Sequence, residues 1–135
     1  MSLATWFRQA TAPQTSPRLE TLILRVAQYL DSKSANDEFA PKTVGAALSE
    51  SELAAMTALS ILEKLGITKH HFGVYCANTG VPLESYDDLK DLPDSWRCDT
   101  CDDDHCISER TCKIEIYFTV DRDRLARFTA KASAA

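Results

Sequence analysis

Residues 96–112 read WRCDTCDDDHCISERTC. Thiols stand at 98, 101, 106 and 112, a C-x2-C-x4-C-x5-C spacing, with His105 beside Cys106. The run is short, acidic and loop-like, with too few apolar residues to build a core of its own. Thiolates are the soft ligands that Zn²⁺ prefers, and four of them close a tetrahedral shell. The expected cofactor is therefore a structural Zn²⁺ on Cys98, Cys101, Cys106 and Cys112. The C-x2-C turn of Cys98 and Cys101 is the more specific half of that pattern. The later spacings depart from a second C-x2-C, so Cys76 and His105 are alternates for Cys106 or Cys112. Free or oxidised thiols are the competing reading. A four-thiolate shell leaves no open position for water, so the site is expected to hold structure rather than to catalyse. Its negative charge calls for nearby donors, such as backbone N–H groups, Arg97, Arg110 or Lys113.

Outward from this run, charge is unevenly spread. The 135 residues carry a formal net charge of -5. Residues 1–83 balance to zero. Residues 84–109 hold ten acidic and two basic side chains, and residues 110–135 hold six basic and three acidic ones. An acidic block beside a basic tail points to intramolecular pairing or a basic protein partner. It opposes a broad phosphate-binding face. The chain is 44% hydrophobic, enough for a core. It has no apolar run of membrane-spanning length. The start MSLATWFRQA lacks a basic segment followed by an apolar block, so no secretory signal is read. Clustered cysteines without such a signal fit a reducing cytoplasm, where thiols bind metal more often than they pair.

The apolar spacing predicts helices first. Leu3, Trp6, Phe7 and Ala10 share a face over 3–11. After APQTSP, Ser16 and Pro17 mark the start of a helix that runs to about residue 31, with Leu19, Leu22, Ile23, Val26, Tyr29 and Leu30 on one face. Pro41 opens a short helix to about 48. Ser49 and Glu52 make an S-x-x-E capping box for a helix over about 50–65, and Gly66 occupies its C-terminal stop. The pattern then changes. ITKHHFGVYC reads as a strand and NTG as a turn, followed by a connecting segment over 81–97 that carries two prolines and room for one helical turn. KIEIYFTV alternates cleanly and reads as a strand from 113 to 120. Asp121 caps a final basic helix over about 122–132.

Helix, short helix, longer helix, then two strands around a loop resembles the winged helix-turn-helix superfamily over residues 18–120. FAPKTVGAAL is similar to its second helix, SESELAAMTALSILEKLGI to its third, and HHFGVYC to the opening of its wing. The resemblance implies an α+β fold: a winged-helix-like three-helix core with a β-hairpin wing carrying the zinc loop, plus N- and C-terminal helices. The expected divisions are an N-terminal arm at 1–16, the winged-helix-like domain at 17–120 with its cysteine loop at 96–112, and a basic helix at 121–135. Winged-helix domains bind DNA or proteins. A recognition helix needs basic or amide side chains at its N-terminal face. Here that face carries Glu50, Ser51, Glu52 and Ala55, and the wing is acidic. Nucleic-acid contacts, if made, fall to Arg122, Arg124, Arg127 and Lys131.

Other chemistry is sparse. Adjacent strand residues face opposite ways, so His70 and His71 read as surface imidazoles rather than one site. Asp102–Asp104 lacks the glycine and spaced oxygens of a calcium loop and reads as a solvated tip. Trp96 is expected to pack over the metal site or the wing. Trp6 and Phe7 are the expected partner or dimer contacts, or else pack on the chain's own third helix. No glycine-rich phosphate loop, H-E-x-x-H or G-x-S-x-G is present. The expectation is a non-catalytic, zinc-stabilised regulatory or adaptor module that docks to a protein partner or a second copy. No small-molecule substrate or membrane is implied. The alternatives are a winged-helix transcription regulator and a thiol-based zinc redox sensor.

Overall fold

A computed structural model describes residues 17–134, so the helix expected over 3–11, with Trp6 and Phe7, lies outside the described residues. Among the described residues are four α-helices and two small antiparallel sheets. The chain divides into two compact units, one formed by residues up to Lys69 with those from Phe118 onward, the other by His70–Tyr117.

The first unit is helical. Helix α1 (Pro17–Ser32) buries Ile23, Val26 and Leu30 of its predicted apolar stripe, together with Ala27. Helix α2 (Pro41–Ala47) begins on proline, whose missing N–H costs nothing at a helix start. Helix α3 (Glu52–Lys64) buries Ala55, Ala58, Leu59 and Leu62. Helix α4 (Arg122–Ala134) adds Leu125 and Phe128 to the same unit's core. Asp121 caps α4 as its sequence predicts, its carboxylate accepting from the Arg124 N–H at 3.1 Å.

The turn between α2 and α3 differs from the expected capping box. Ser49 lies at φ 57°, in the left-handed region. Its N–H bonds to the Ala46 carbonyl and the Glu50 N–H to the Gly45 carbonyl, at 3.3 and 2.8 Å. That pair of bonds is a Schellman stop for α2, with Ser49 in the place usually held by glycine. Ser49 therefore ends one helix and cannot cap the next. Ser51 caps α3 instead, its hydroxyl accepting from the Ala54 N–H at 3.0 Å. Gly45 is what lets this turn close, since a Cβ there would lie 2.9 Å from the Glu50 carbonyl oxygen. Helix α3 stops the same way: Gly66 takes φ 75°, and Ile67 N–H returns to the Leu62 carbonyl at 2.9 Å.

Two further links hold this unit. Phe39 and Phe118 exchange backbone hydrogen bonds of 2.9 and 2.8 Å, and both side chains are buried. The Arg122 guanidinium donates to the carbonyls of Leu30, Lys33 and Asn36 at 2.8, 3.1 and 2.7 Å, and so ties α4 to the turns that end α1, where the Lys33 and Asn36 N–H groups also reach the Leu30 and Lys33 carbonyls.

The second unit is built on strands. Strands β1 (Thr68–Cys76), β2 (Pro82–Tyr86) and β5 (Cys112–Val120) form one sheet in the order β2-β1-β5. Strands β1 and β2 pair antiparallel, Phe72 opposite Tyr86 and Gly73 opposite Ser85, with a bulge after Val74. The segment expected to be a plain connection thus contributes an edge strand, followed by a single 3₁₀ turn at Leu89–Asp91. Strands β3 (Trp96–Cys98) and β4 (Asp103–His105) make a separate hairpin. Val74, Trp96 and Cys112 form a small core, ringed by Leu83, Tyr86, Leu92 and Ile114. Trp96 donates its indole N–H to the Tyr86 hydroxyl at 2.9 Å, which satisfies its one polar atom. No helix among the described residues is long and apolar enough to cross a membrane.

Candidate metal centre

Three segments of the second unit bring ligand atoms together. Cys76 is the last residue of β1. The chain then turns back through Asn78 and Thr79 to Gly80, which takes φ 76° and returns its N–H to the Cys76 carbonyl at 2.8 Å. Cys98 ends β3 and Cys101 follows in the C-x2-C turn, with Asp102 in the left-handed region at φ 53°. His105 ends β4, directly opposite Trp96 in the hairpin register. Cross-strand partners share a face, and so do residues two apart on a strand. Trp96, Cys98 and His105 are thus all directed to the buried side of one hairpin.

The ligand atoms of Cys76, Cys98, Cys101 and His105 all lie within 4.8 Å of one another. Cys76 and Cys98 are fully buried, His105 is nearly so, and Cys101 is half-buried. A regular tetrahedron with Zn–S of about 2.3 Å and Zn–N of about 2.0–2.1 Å has edges of about 3.8 Å between sulfurs and about 3.6 Å from sulfur to nitrogen. The Cys76 and Cys101 sulfurs are 3.6 Å apart, and Cys76 Sγ is 3.5 Å from His105 Nε2. The donor set and its spacing therefore fit a divalent zinc-like ion held by three thiolates and one imidazole. Such a set carries one negative formal charge rather than the two of four thiolates. That lightens the burden on a loop already crowded with aspartates.

The surroundings act in opposite senses on two of the thiols. Hydrogen bonding from the Thr79 side chain, helped by the backbone N–H groups of Thr79 and Asn78, lowers the Cys76 thiol to about 6 against the opposing effect of burial. The Cys101 thiol is raised, first by its hydrogen bond to Cys76 and then by burial. The Asn78 amide approaches Cys101 Sγ at 3.9 Å, a weak donor to the same sulfur. His105 turns Nε2 toward the cluster, while its Nδ1 is buried and without a hydrogen-bond partner.

The C-x2-C pair and both alternates are thus brought together, while two expected ligands are not part of the group. Cys106 follows His105 directly, so the alternation of β4 sends it the other way. Its Sγ lies 3.3 Å from the Ser108 hydroxyl and its N–H donates to Thr111 Oγ1 at 2.8 Å. Cys112 is buried in the small core beside Val74 and Trp96, where burial, more than the nearby Cys106 and Cys76, pushes its thiol up.

Several other expected residues find particular places. Asp102, Asp103 and Asp104 are exposed, and Arg97 pairs with Asp102. His71 is not a plain surface imidazole. Its Nδ1 lies 2.7 Å from Asp87 Oδ1, and its ring stacks on Tyr117 at 5.1 Å. Asp87 stands opposite His71 only because β2 exists, so the sequence pattern offered no signal for it. The four cations of the last helix divide. Arg122 is committed to the end of α1. Arg124, Arg127 and Lys131 line a shallow groove with Leu65, Ile67 and Phe128. No protein-family model matches this chain, and no curated protein or solved structure matches it either.

Proposed function

We propose that this chain is a non-catalytic interaction module of winged-helix type, stapled by a structural Zn²⁺, which docks through its acidic loop to a basic protein surface. The observation that carries the reading is the convergence of Cys76, Cys98, Cys101 and His105 into a four-donor set. Four protein ligands complete a zinc shell, so the ion organises the loop and leaves no place for a reacting water. The loop so held is the most acidic part of the chain, with Asp99, Asp102, Asp103 and Asp104 all exposed. The order of α1, α2, α3, β1 and β5, with the Phe39–Phe118 bridge between the inter-helix segment and the last strand, supports the winged-helix part. The exposed N-terminal face of α3 offers Ser51, Glu52 and Leu53, which supports a protein partner over a nucleic acid.

Elemental analysis of the purified chain with its bound partner tests this reading. The expected result is one zinc per chain and a partner released as salt rises, and lost when Asp102, Asp103 and Asp104 are changed together to Asn. A chain without zinc, or a partner indifferent to those aspartates, would reject it. The second reading is a DNA-binding regulator, supported by the shared face of Arg124, Arg127 and Lys131. It requires a complex with duplex DNA that survives about 200 mM salt.

A further inference from the structure

The four-donor set has one member open to the outside. Cys76 and Cys98 are 0% exposed and His105 only 3%, whereas Cys101 is half-buried. An oxidant arriving from solvent therefore meets the Cys101 sulfur first. Exposure and thiolate character together decide which cysteine is oxidised, and a thiol held by a metal ion is deprotonated outright.

The thiol best placed to answer that attack is not the one chain order suggests. Cys98 shares the C-x2-C turn with Cys101 and is paired in the hairpin ladder opposite Asp103. Both other thiols of the set bear on the Cys101 sulfur by hydrogen bonding, Cys76 more strongly than Cys98. Cys76 Sγ, on the far side of the set at the end of β1, stands 3.6 Å from Cys101 Sγ. A disulfide needs about 2.05 Å, so a closure of about 1.5 Å joins them. Cys106 is also half-buried, but its sulfur is turned to the Ser108 hydroxyl and lies outside the set.

We propose that this centre is a peroxide-responsive switch, in which Cys101 and Cys76 close to a disulfide and the metal ion is given up. The switch rests on the structural-zinc reading and adds its regulation. Cys101 Sγ attacks one oxygen of hydrogen peroxide. The O–O bond breaks, a sulfenic acid forms on Cys101, and the departing hydroxide takes a proton from solvent to become water. Cys76 Sγ then attacks the Cys101 sulfur. The S–S bond forms, the S–O bond breaks, and the second hydroxide is protonated in the same way. Two thiolates have lost two electrons, and the peroxide has become two waters. Cys98 and His105 remain, two donors where four closed the shell. The new bond keeps the tie between the end of β1 and the β3–β4 turn. What is lost is the hold on His105, which ends β4 behind Asp103 and Asp104, so oxidation acts on the strand that carries two of the docking aspartates.

The test loads the full chain with one equivalent of zinc, removes excess metal and adds hydrogen peroxide. Released zinc is followed with a colorimetric chelator, and disulfides are mapped by mass spectrometry of an unreduced digest. The expected result is one zinc released for each Cys76–Cys101 disulfide formed, with full rebinding after dithiothreitol and fresh zinc. Cys106→Ser should leave both the yield and the pairing unchanged, and Cys106→Ala takes its place if the serine disturbs the fold. A Cys98–Cys101 disulfide, a pairing that includes Cys106, or release without any disulfide would overturn the switch. So would zinc retained at a peroxide dose that oxidises most of the Cys106 thiol. A chain that takes up no zinc at all would reject the structural-zinc reading itself and the switch with it. Any of the other adverse outcomes on a loaded chain rejects the switch alone.

Discussion

His105 and Cys106 are neighbours in the chain and go to opposite environments. His105 closes β4 on its buried side and presents Nε2 to Cys76, whereas Cys106 turns to Ser108 and Thr111. Substitution separates the two roles. Cys101→Ser and His105→Ala should each reduce bound zinc well below one per chain, while Cys106→Ser should keep the full complement. Cys112→Ala should also keep zinc but lower stability by about 1–2 kcal/mol, since it empties part of the small core around Trp96. Metal analysis beside urea unfolding reads both effects. The C-x2-C pair was legible in the sequence because one turn brings those thiols together whatever surrounds them. Cys76 and His105 could be named only as alternates. Their convergence depends on a three-residue strand, DDH, with no alternating apolar pattern to announce it, and on a turn twenty-two positions before Cys98.

At the scale of elements, the helices were legible and their joints were not. The stripes that bury Ile23, Val26 and Leu30 on α1, and Leu59 and Leu62 on α3, follow helical spacing in the sequence. The α2–α3 joint is decided by which serine takes a left-handed backbone, and two serines stand close enough to compete. Their roles give opposite expectations. Ser49→Gly should stabilise the protein by about 0.5–1 kcal/mol, because glycine accepts a positive φ without a Cβ penalty. Ser51→Ala should cost about 1 kcal/mol, as it removes the cap of α3. Reversed signs in urea unfolding would return the cap to Ser49. Strand β2 escaped notice because PLESY is short, begins on proline and lies at a sheet edge, where alternation is weak. Arg122 was read as a surface cation because its three carbonyl partners lie more than eighty positions away. Arg122→Ala should destabilise the helical unit by about 1.5–3 kcal/mol, as a charged donor shared by three carbonyls is lost. Lys would recover only part of this, since it lacks the planar fork. Thermal melts followed at 222 nm check both variants.

For the whole molecule, the two units draw on different sources of stability. The helical unit buries many large apolar side chains, among them Ile23, Val44, Leu59, Phe118 and Leu125. Apart from the candidate ligands, the small core of the strand unit is Val74, Trp96 and Cys112, too little to order an acidic loop by apolar burial alone. Metal binding would supply the difference. Removing zinc with a chelator should therefore abolish the near-ultraviolet dichroism of Trp96 while the 222 nm helix signal largely persists. One equivalent of zinc should restore the aromatic signal. Loss of both signals together would mean that the helices also depend on the ion.

The route of the chain through the sheet has one more consequence. Strands β1 and β5 are neighbours, and everything between His70 and Tyr117 is threaded out along one and home along the other. A segment whose exit and return lie side by side can be cut away and its stumps rejoined by a short hairpin, leaving the remainder with intact ends. The piece that carries the candidate ligands therefore has a single doorway, so its length can change without re-routing the rest of the chain.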